Sequence, residues 1–322
     1  MSGRDDSMVE AQERAAAGED GMHVIGMDVG GTNIKAGIIS PDGAIIGLAQ
    51  AATPVNQGKE AILACMEEVV GQLRNDYRGE IGALGIGAAG RIDRHTGTVL
   101  YATDNLPGWM GTPLKSVMEA RLSLPVFVDN DVNAAALGEG WLGAGREARH
   151  YVLLTLGTGV GGALVHDGKL IAGPRGGAGE IGHMILYPGG MACNCGQTGC
   201  LEQYASGTAL NRSAKLVDSG WDSRELLRQL ELGHEQSRAV ISRFVSDLAT
   251  GLVSLQNLYD PELIIIGGGI MDTHRLWWRD LLARLGSGTE QELSVRPAML
   301  GNEAGLLGAA RLALDEWNAG WS

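Results

Sequence analysis

Long apolar runs, basic charge and cysteine are all scarce in this chain, and each shortage excludes something. No apolar run approaches the roughly 20 residues that cross a bilayer. The opening residues, MSGRDDSMVEAQERAAAGEDG, are polar where a secretion signal has an apolar core. No membrane partner is expected, and the predicted location is the cytoplasm. Lysine and arginine number 25 against 38 aspartates and glutamates, a formal net charge of -13 in 322 residues. A nucleic acid or an anionic membrane rewards a basic face, so neither is expected as the main partner. Of the four cysteines, three fall between Cys193 and Cys200. That clustering suits a metal site in a reducing compartment better than a disulfide framework. No G-x4-G-K-[ST] loop occurs, so the Walker A phosphate cradle is absent.

What the chain has in excess is glycine. Its 50 glycines are about twice the usual ~7% share, which points to tight turns and close backbone approaches. Residues 1–21 lack an apolar period and read as a flexible lead. From Met22, HVIGMDVGGTNIKAGIISPDGAIIGLAQAAT reads as three strands joined by hairpin turns. The helix KEAILACMEEVVGQLRND follows, with Ile62, Met66, Val69, Val70 and Leu73 on one stripe and Cys65 beside them as a predicted core residue. Next come the strands IGALGIGAAG and PVFVDN and a helix begun by DVN. YVLLTLGTGVGGALVHDGKLI then opens a second set of hairpins that echoes the first. Helices over about 206–232 and 236–259, the buried strand ELIIIGGG and a last helix complete the reading. That last helix is expected to bury Leu306, Leu307, Ala310, Leu314 and Trp317. Two related lobes are predicted, over residues 22–133 (completed by 303–322) and 134–302.

Three glycine turns carry the first chemistry. DVGGTNIK places Gly30, Gly31 and Thr32 after a strand ending near Asp28. Backbone N–H groups in such a turn can point at phosphate oxygens, and the carboxylate can hold a hydrated Mg2+. LGTGVGG places Gly157, Thr158 and Gly159 at the matching point of the second lobe. Gly268 and Gly269 close the buried strand, where a nucleotide base could lie against bare backbone. GIGAAG at 85–90 has Rossmann spacing but leads into RIDRHTGTVLY, a hairpin and not a phosphate-binding helix. The stretch CNCGQTGCLE bends Cys193, Cys195 and Cys200 toward one tetrahedral ion but lacks a fourth ligand. In DNDVN, Asp129 and Asp131 sit at a strand end and helix start, where capping by itself accounts for Asp or Asn.

DVGGTNIK, NLPGW, DNDVNAAALGE, GTGVGG, GAGEIGHM and CNCGQTGCLEQYASG, in this order, resemble the ROK family of repressors and sugar kinases, especially its bacterial glucokinases. The resemblance covers nearly everything from His23 to the last helix. It implies an α/β fold of two actin-like (ribonuclease H-like) lobes with ATP between them and a hexose in the cleft. It implies that Asp131 is the general base, that Asp129 is structural, and that Gly90, Asn105, Asn130, Glu180, His183 and Glu202 form the sugar site. His183, ten residues before Cys193, becomes the candidate fourth ligand of a structural Zn2+; its second ring nitrogen could then face the substrate. His150, His166 and His234 are expected in surface turns. Lys35 could face either side of its hairpin. The resemblance further implies a homo-oligomer, dimer or tetramer, working in carbohydrate metabolism. Glucose is the leading substrate, with N-acetylmannosamine and N-acetylglucosamine as alternatives. A sugar-responsive repressor needs a DNA-binding domain that the short acidic lead does not supply.

Overall fold

A computed structural model describes residues 22–102, 106–286 and 293–320; the predicted lead over 1–21 lies outside them. The first strands are β1 (His23–Val29), β2 (Asn33–Ile39) and β3 (Ile45–Ala52), followed by helix α1 (Lys59–Asp76) and β4 (Ile81–Ala88). A small hairpin of β5 (Arg91–Asp93) and β6 (Thr98–Tyr101) leads to α2 (Leu114–Leu122), β7 (Val126–Asn130) and α3 (Asp131–Leu142). Then come β8 (Tyr151–Leu156), β9 (Val160–His166), β10 (Lys169–Leu170) and the helices α4 (Glu202–Ala205), α5 (Gly207–Val217), α6 (Ser223–Glu231) and α7 (Glu235–Tyr259). Strand β11 (Leu263–Gly267), α8 (Trp278–Gly286), β12 (Val295–Pro297) and α9 (Ala304–Asn318) close the chain.

The two main sheets share one topology. The first runs β3-β2-β1-β4-β7 and the second β10-β9-β8-β11-β12. Each is an antiparallel three-strand meander extended by two parallel strands. This is the predicted echo of hairpins, and it belongs to the actin-like ATPase class. Contacts divide the chain into one unit reaching Arg146, with Gly173–Gly177 and the residues from Asn302 onward, and another of Glu147–Ala172 and Ala178–Gly301. The first unit thus extends past the expected crossing near residue 133. The reason is backbone packing: α3 lies directly against α9, and a Cβ on Gly308 would stand 1.5 Å from the Ala134 carbonyl oxygen.

Helix α9 also covers the first sheet. A Cβ on Gly26 of β1 would meet the Leu306 carbonyl at 2.1 Å, and one on Gly85 of β4 the Ala309 carbonyl at 1.8 Å. Because it is pressed between sheet and α3, α9 buries Leu306, Leu307, Ala309, Ala310, Leu312, Ala313 and Leu314, more than one stripe. Trp317 departs from expectation: it is 36% exposed, because every described residue after Leu314 is at the surface. In α1 the predicted stripe is buried, whereas Cys65 is only half-buried, with its Sγ 3.8 Å from the Ala52 carbonyl oxygen.

Gly308→Ala is expected to destabilise the protein by about 1–3 kcal/mol or more, since backbone must move to admit the methyl. Gly71→Ala, whose Cβ would meet nothing within 4 Å in the middle of α1, is expected to be neutral or stabilising by up to ~1 kcal/mol. Urea melts of the two variants check this; equal losses would refute the close approach.

Candidate active site and metal cluster

In the first unit, register gathers the relevant strand ends. Asp28 pairs with Gly87, and Gly87 with Asp129, so the turns carrying Gly30, Gly90 and Asp131 leave the sheet from one edge, the carboxyl end of its parallel strands. Ligands of open α/β sheets bind at such an edge. The Gly30–Thr32 turn is fastened from below: Thr53 Oγ1 donates to the Gly30 carbonyl at 2.7 Å, and Thr53 N–H to the Thr32 carbonyl at 2.9 Å. Above Gly31, a Cβ would meet nothing within 4 Å, which leaves room for a phosphate against the backbone. Thr53 carries no sequence signal beyond its place after β3, and the sequence reading missed it.

Asp28 is the strained charge of this edge. Burial first, and the neighbouring Asp131 carboxylate second, push its pKa up to about 6, while Lys35 opposes them. Lys35 pairs directly with Asp28 across β1 and β2, so the two side chains share a face and Lys35 is turned toward the carboxylate. A buried, undercompensated carboxylate beside a second one is a donor set that suits a hard divalent cation.

The DNDVN segment divides its work between neighbours. Asn130 is the N-cap of α3, its Oδ1 accepting from Val132 N–H at 2.8 Å and Asn133 N–H at 3.2 Å, while its Nδ2 donates to the Gly90 carbonyl at 2.7 Å. Neither aspartate is the N-cap residue itself, although Asp131 Oδ1 shares the Val132 N–H with Asn130 at 2.9 Å. Asp129 is buried, its Oδ1 accepting from Asn133 Nδ2 at 2.7 Å and Asn130 N–H at 2.7 Å while its Oδ2 forms an ion pair with Arg94 Nε at 2.8 Å. Burial pushes its pKa up, and Arg94 leads the groups that pull it down. Asp131 occupies the first turn of α3, at the positive end of the helix dipole. Asn105 lies outside the described residues.

The second unit repeats the arrangement. Strands β8 and β11 run parallel, with Gly267 beside Thr155, so the Gly157–Gly159 turn and Gly268–Gly269 also leave from one edge. A Cβ on Gly268 would stand 2.6 Å from Leu156 backbone atoms, and its φ of 89° requires glycine. Thr208 Oγ1 donates to the Thr158 carbonyl at 2.8 Å and Gly207 N–H to the Gly157 carbonyl at 2.8 Å, tying the turn to the start of α5. The sequence reading quoted Gly207 as the last residue of CNCGQTGCLEQYASG without giving it a role, and did not single out Thr208.

The loop between β10 and α4 brings four ligand atoms together. Those of His183, Cys193, Cys195 and Cys200 all lie within 4.8 Å of one another. His183 Nδ1 is 3.6 Å from Cys193 Sγ, and Cys195 Sγ is 3.6 Å from Cys200 Sγ. A tetrahedral ion with metal–sulfur bonds of ~2.3 Å needs sulfurs about 3.8 Å apart, close to what is seen. Without a cation the Cys200 thiolate is disfavoured, since burial and then the neighbouring Cys195 and Cys193 push its pKa up to about 12. A cation would reverse that cost. His183 Nε2 points the other way, 3.9 Å from Glu180 Oε2. Glu202 bridges the loop to the glycine turn, its Oε2 accepting from Val160 N–H at 3.0 Å. The three histidines expected in surface turns have different roles: His150 and His166 face each other with Nδ1 atoms 3.0 Å apart, and His234 caps α7.

Asp28 yields a signed pH prediction. Its folded pKa of about 6 exceeds the ordinary aspartate value of 3.8, so between these pH values the folded protein keeps a proton that the unfolded chain has lost. Stability therefore falls as pH rises through that window, by on the order of 3 kcal/mol in total. Asp28→Asn is expected to melt higher than the parent at pH 7.5 and to lose that advantage near pH 4. An equal difference at both pH values would refute the burial penalty.

Residues 24–316 match the ROK family. The chain is 38% identical over 318 residues to a glucokinase of Streptomyces coelicolor, covering 90% of this chain and 97% of that one. It is similar in structure to a ROK hexokinase from Thermus thermophilus, with a TM-score of 0.86 and 35% identity over 93% of this chain and 100% of the other. A ROK family glucokinase from Streptomyces griseus in complex with glucose and AMPPNP matches with a TM-score of 0.78 and 35% identity, over 91% and 99% of the two chains. Two sheets of one topology, glycine turns at their parallel edges and a Cys3His loop agree with these likenesses: the chain belongs to the ROK family.

Proposed function

We propose that this protein is an ATP-dependent glucokinase that transfers the γ-phosphoryl group to the 6-hydroxyl of glucose in the cytoplasm. The observation that carries the reading is Asp131, placed in the first turn of α3 beside Asp28 and directly after the N-cap Asn130. Its carboxylate takes the proton of the 6-hydroxyl as that oxygen attacks phosphorus, and ADP leaves. Glu180, His183 and Glu202, with Gly90, Asn105 and Asn130, bind the sugar. Carboxylates accept from ring hydroxyls, and His183 Nε2 donates from the side away from Cys193. Asn130 retains one amide N–H for the sugar after its bond to Gly90. The turns at Gly30–Thr32 and Gly157–Gly159 hold phosphates by backbone N–H groups, and Gly268 and Gly269 leave room for the base. Asp28 would hold the Mg2+ of the nucleotide, which would neutralise charge on its phosphates. His183 Nδ1 and the three thiolates would hold a structural Zn2+, which would tie down the sugar-binding loop. Glucose fits this reading better than its 2-N-acetylated relatives, and a dimer or tetramer is the expected assembly.

Two experiments test it. Coupled ADP release across glucose, mannose, N-acetylmannosamine and N-acetylglucosamine should favour glucose. In that assay Asp131→Asn should lose about 10²–10⁴ in kcat with little change in Tm, because the cap at Asn130 remains. Asp129→Asn should instead lower Tm, since it removes the ion pair of a buried carboxylate with Arg94. The opposite pattern would exchange the two roles.

The metal has its own readout. Purified protein should hold about one zinc per chain, and Cys195→Ser should lower both zinc content and glucose affinity. Loss of zinc with unaltered glucose binding would sever the loop from the sugar site.

A further inference from the structure

A cavity of about 490 Å³ opens in the first unit between the β5–β6 turn, the first turn of α2, strand β7 and the end of α9. Of the site residues described above only Arg94, the ion-pair partner of Asp129, lines it. Its lining includes Arg94, His95 and Lys115, a single carboxylate from Glu316, and the apolar surfaces of Phe127 and Leu312. In a chain with net charge -13, two fixed cations and a histidine against one acid invert the average surface. The cations have capacity to spare. Arg94 uses Nε on Asp129, but its Nη2 is 3.7 Å from Glu316, beyond a hydrogen bond. Among the described residues Lys115 forms no ion pair; its Nζ stands 5.8 Å from the centre of the Phe127 ring.

We propose that this cavity binds a phosphorylated small molecule. The phosphate monoester lies among Arg94, Lys115 and His95, and the body of the ligand lies on Phe127 and Leu312. A dianion with three acceptor oxygens suits this donor set, and the volume falls within the range of small-molecule sites and exceeds what a bare phosphate fills. Occupancy is felt in the next layer. Arg94 is the buried Asp129's cationic partner, and Asp129 in turn receives the Asn130 N–H and Asn133 Nδ2 on either side of Asp131. A ligand that draws Arg94 toward the cavity loosens that knot and lowers or raises turnover from outside the substrate site. This second part rests on Asp131 as the proton acceptor; binding in the cavity does not.

Isothermal titration with glucose 6-phosphate, AMP and inorganic phosphate separates the sources, performed with saturating glucose and AMPPNP to fill the substrate sites. The parent is expected to bind one ester with one equivalent per chain. His95→Glu/Lys115→Glu should weaken that binding by about tenfold or more, and Lys115→Ala by less, while both keep the parent's basal kcat. No ester binding, equal binding in the variants, or inorganic phosphate binding as tightly as either ester overturns the site. For the coupling, the bound ester should change kcat at least about twofold in the parent and not in the double variant. An unchanged kcat with binding intact overturns the coupling alone.

Discussion

The constraint on which most of this structure depends is the absence of side chains where backbones meet. Helix α9 can lie on the first sheet only because Gly26 and Gly85 present bare Cα atoms to its carbonyls, and it can cross α3 only through Gly138 and Gly308. The same helix brings Gly305 against the Asp28 carboxylate, where a Cβ would stand 2.9 Å from its Cγ. Burial of Asp28, and with it the raised pKa, follows from that contact. The high glycine content is thus not slack in the chain. It is how two helices and a sheet approach closely enough to hold α3, and Asp131 on its first turn, in a fixed place.

The second unit solves a similar problem with a cross-link. Its sugar-binding candidates sit on a loop with little regular structure, which would be costly to order by packing alone. Four ligand atoms gathered at tetrahedral spacing tie residues from 183 to 200 at one point. Glu202 carries the constraint onward to Val160 N–H. Tyr187 supports the loop from the other side, its hydroxyl donating to the buried Asp247 of α7 at 2.6 Å. A change at the cysteines is therefore transmitted to the glycine turn through one carboxylate.

Much of this was legible in sequence because it depends on spacing. The repeated hairpins, the α1 stripe, the glycine turns and the cysteine cluster each have a local period or motif, and the structure brings them where that pattern implies. What stayed hidden depends on contacts distant in sequence. The unit boundary could not be read near 133 because α3 belongs with a helix that begins at Ala304. Trp317 looked buried because a helical period continues whether or not a neighbour remains to cover it. The capping question at DNDVN was open because Asn130, Asp129 and Asp131 are all suitable caps; only the hydrogen bonds to Val132 and Asn133 N–H select Asn130. Thr53 and Thr208 were missed since a threonine that bonds a distant carbonyl looks like any other threonine.

The discontinuity of the first unit has a consequence for synthesis. Strands β1 and β4 leave the ribosome early, but the helix that covers their glycine-lined face is made after the whole of the second unit. During elongation that face has no native partner, so the segment translated first is the one completed last. The nascent chain must carry uncovered β-sheet through most of its translation, the kind of intermediate that chaperones shield. A stop codon before Ala304 would then do more than trim a terminus: it would leave an N-terminal half that cannot finish folding, however intact its own sequence.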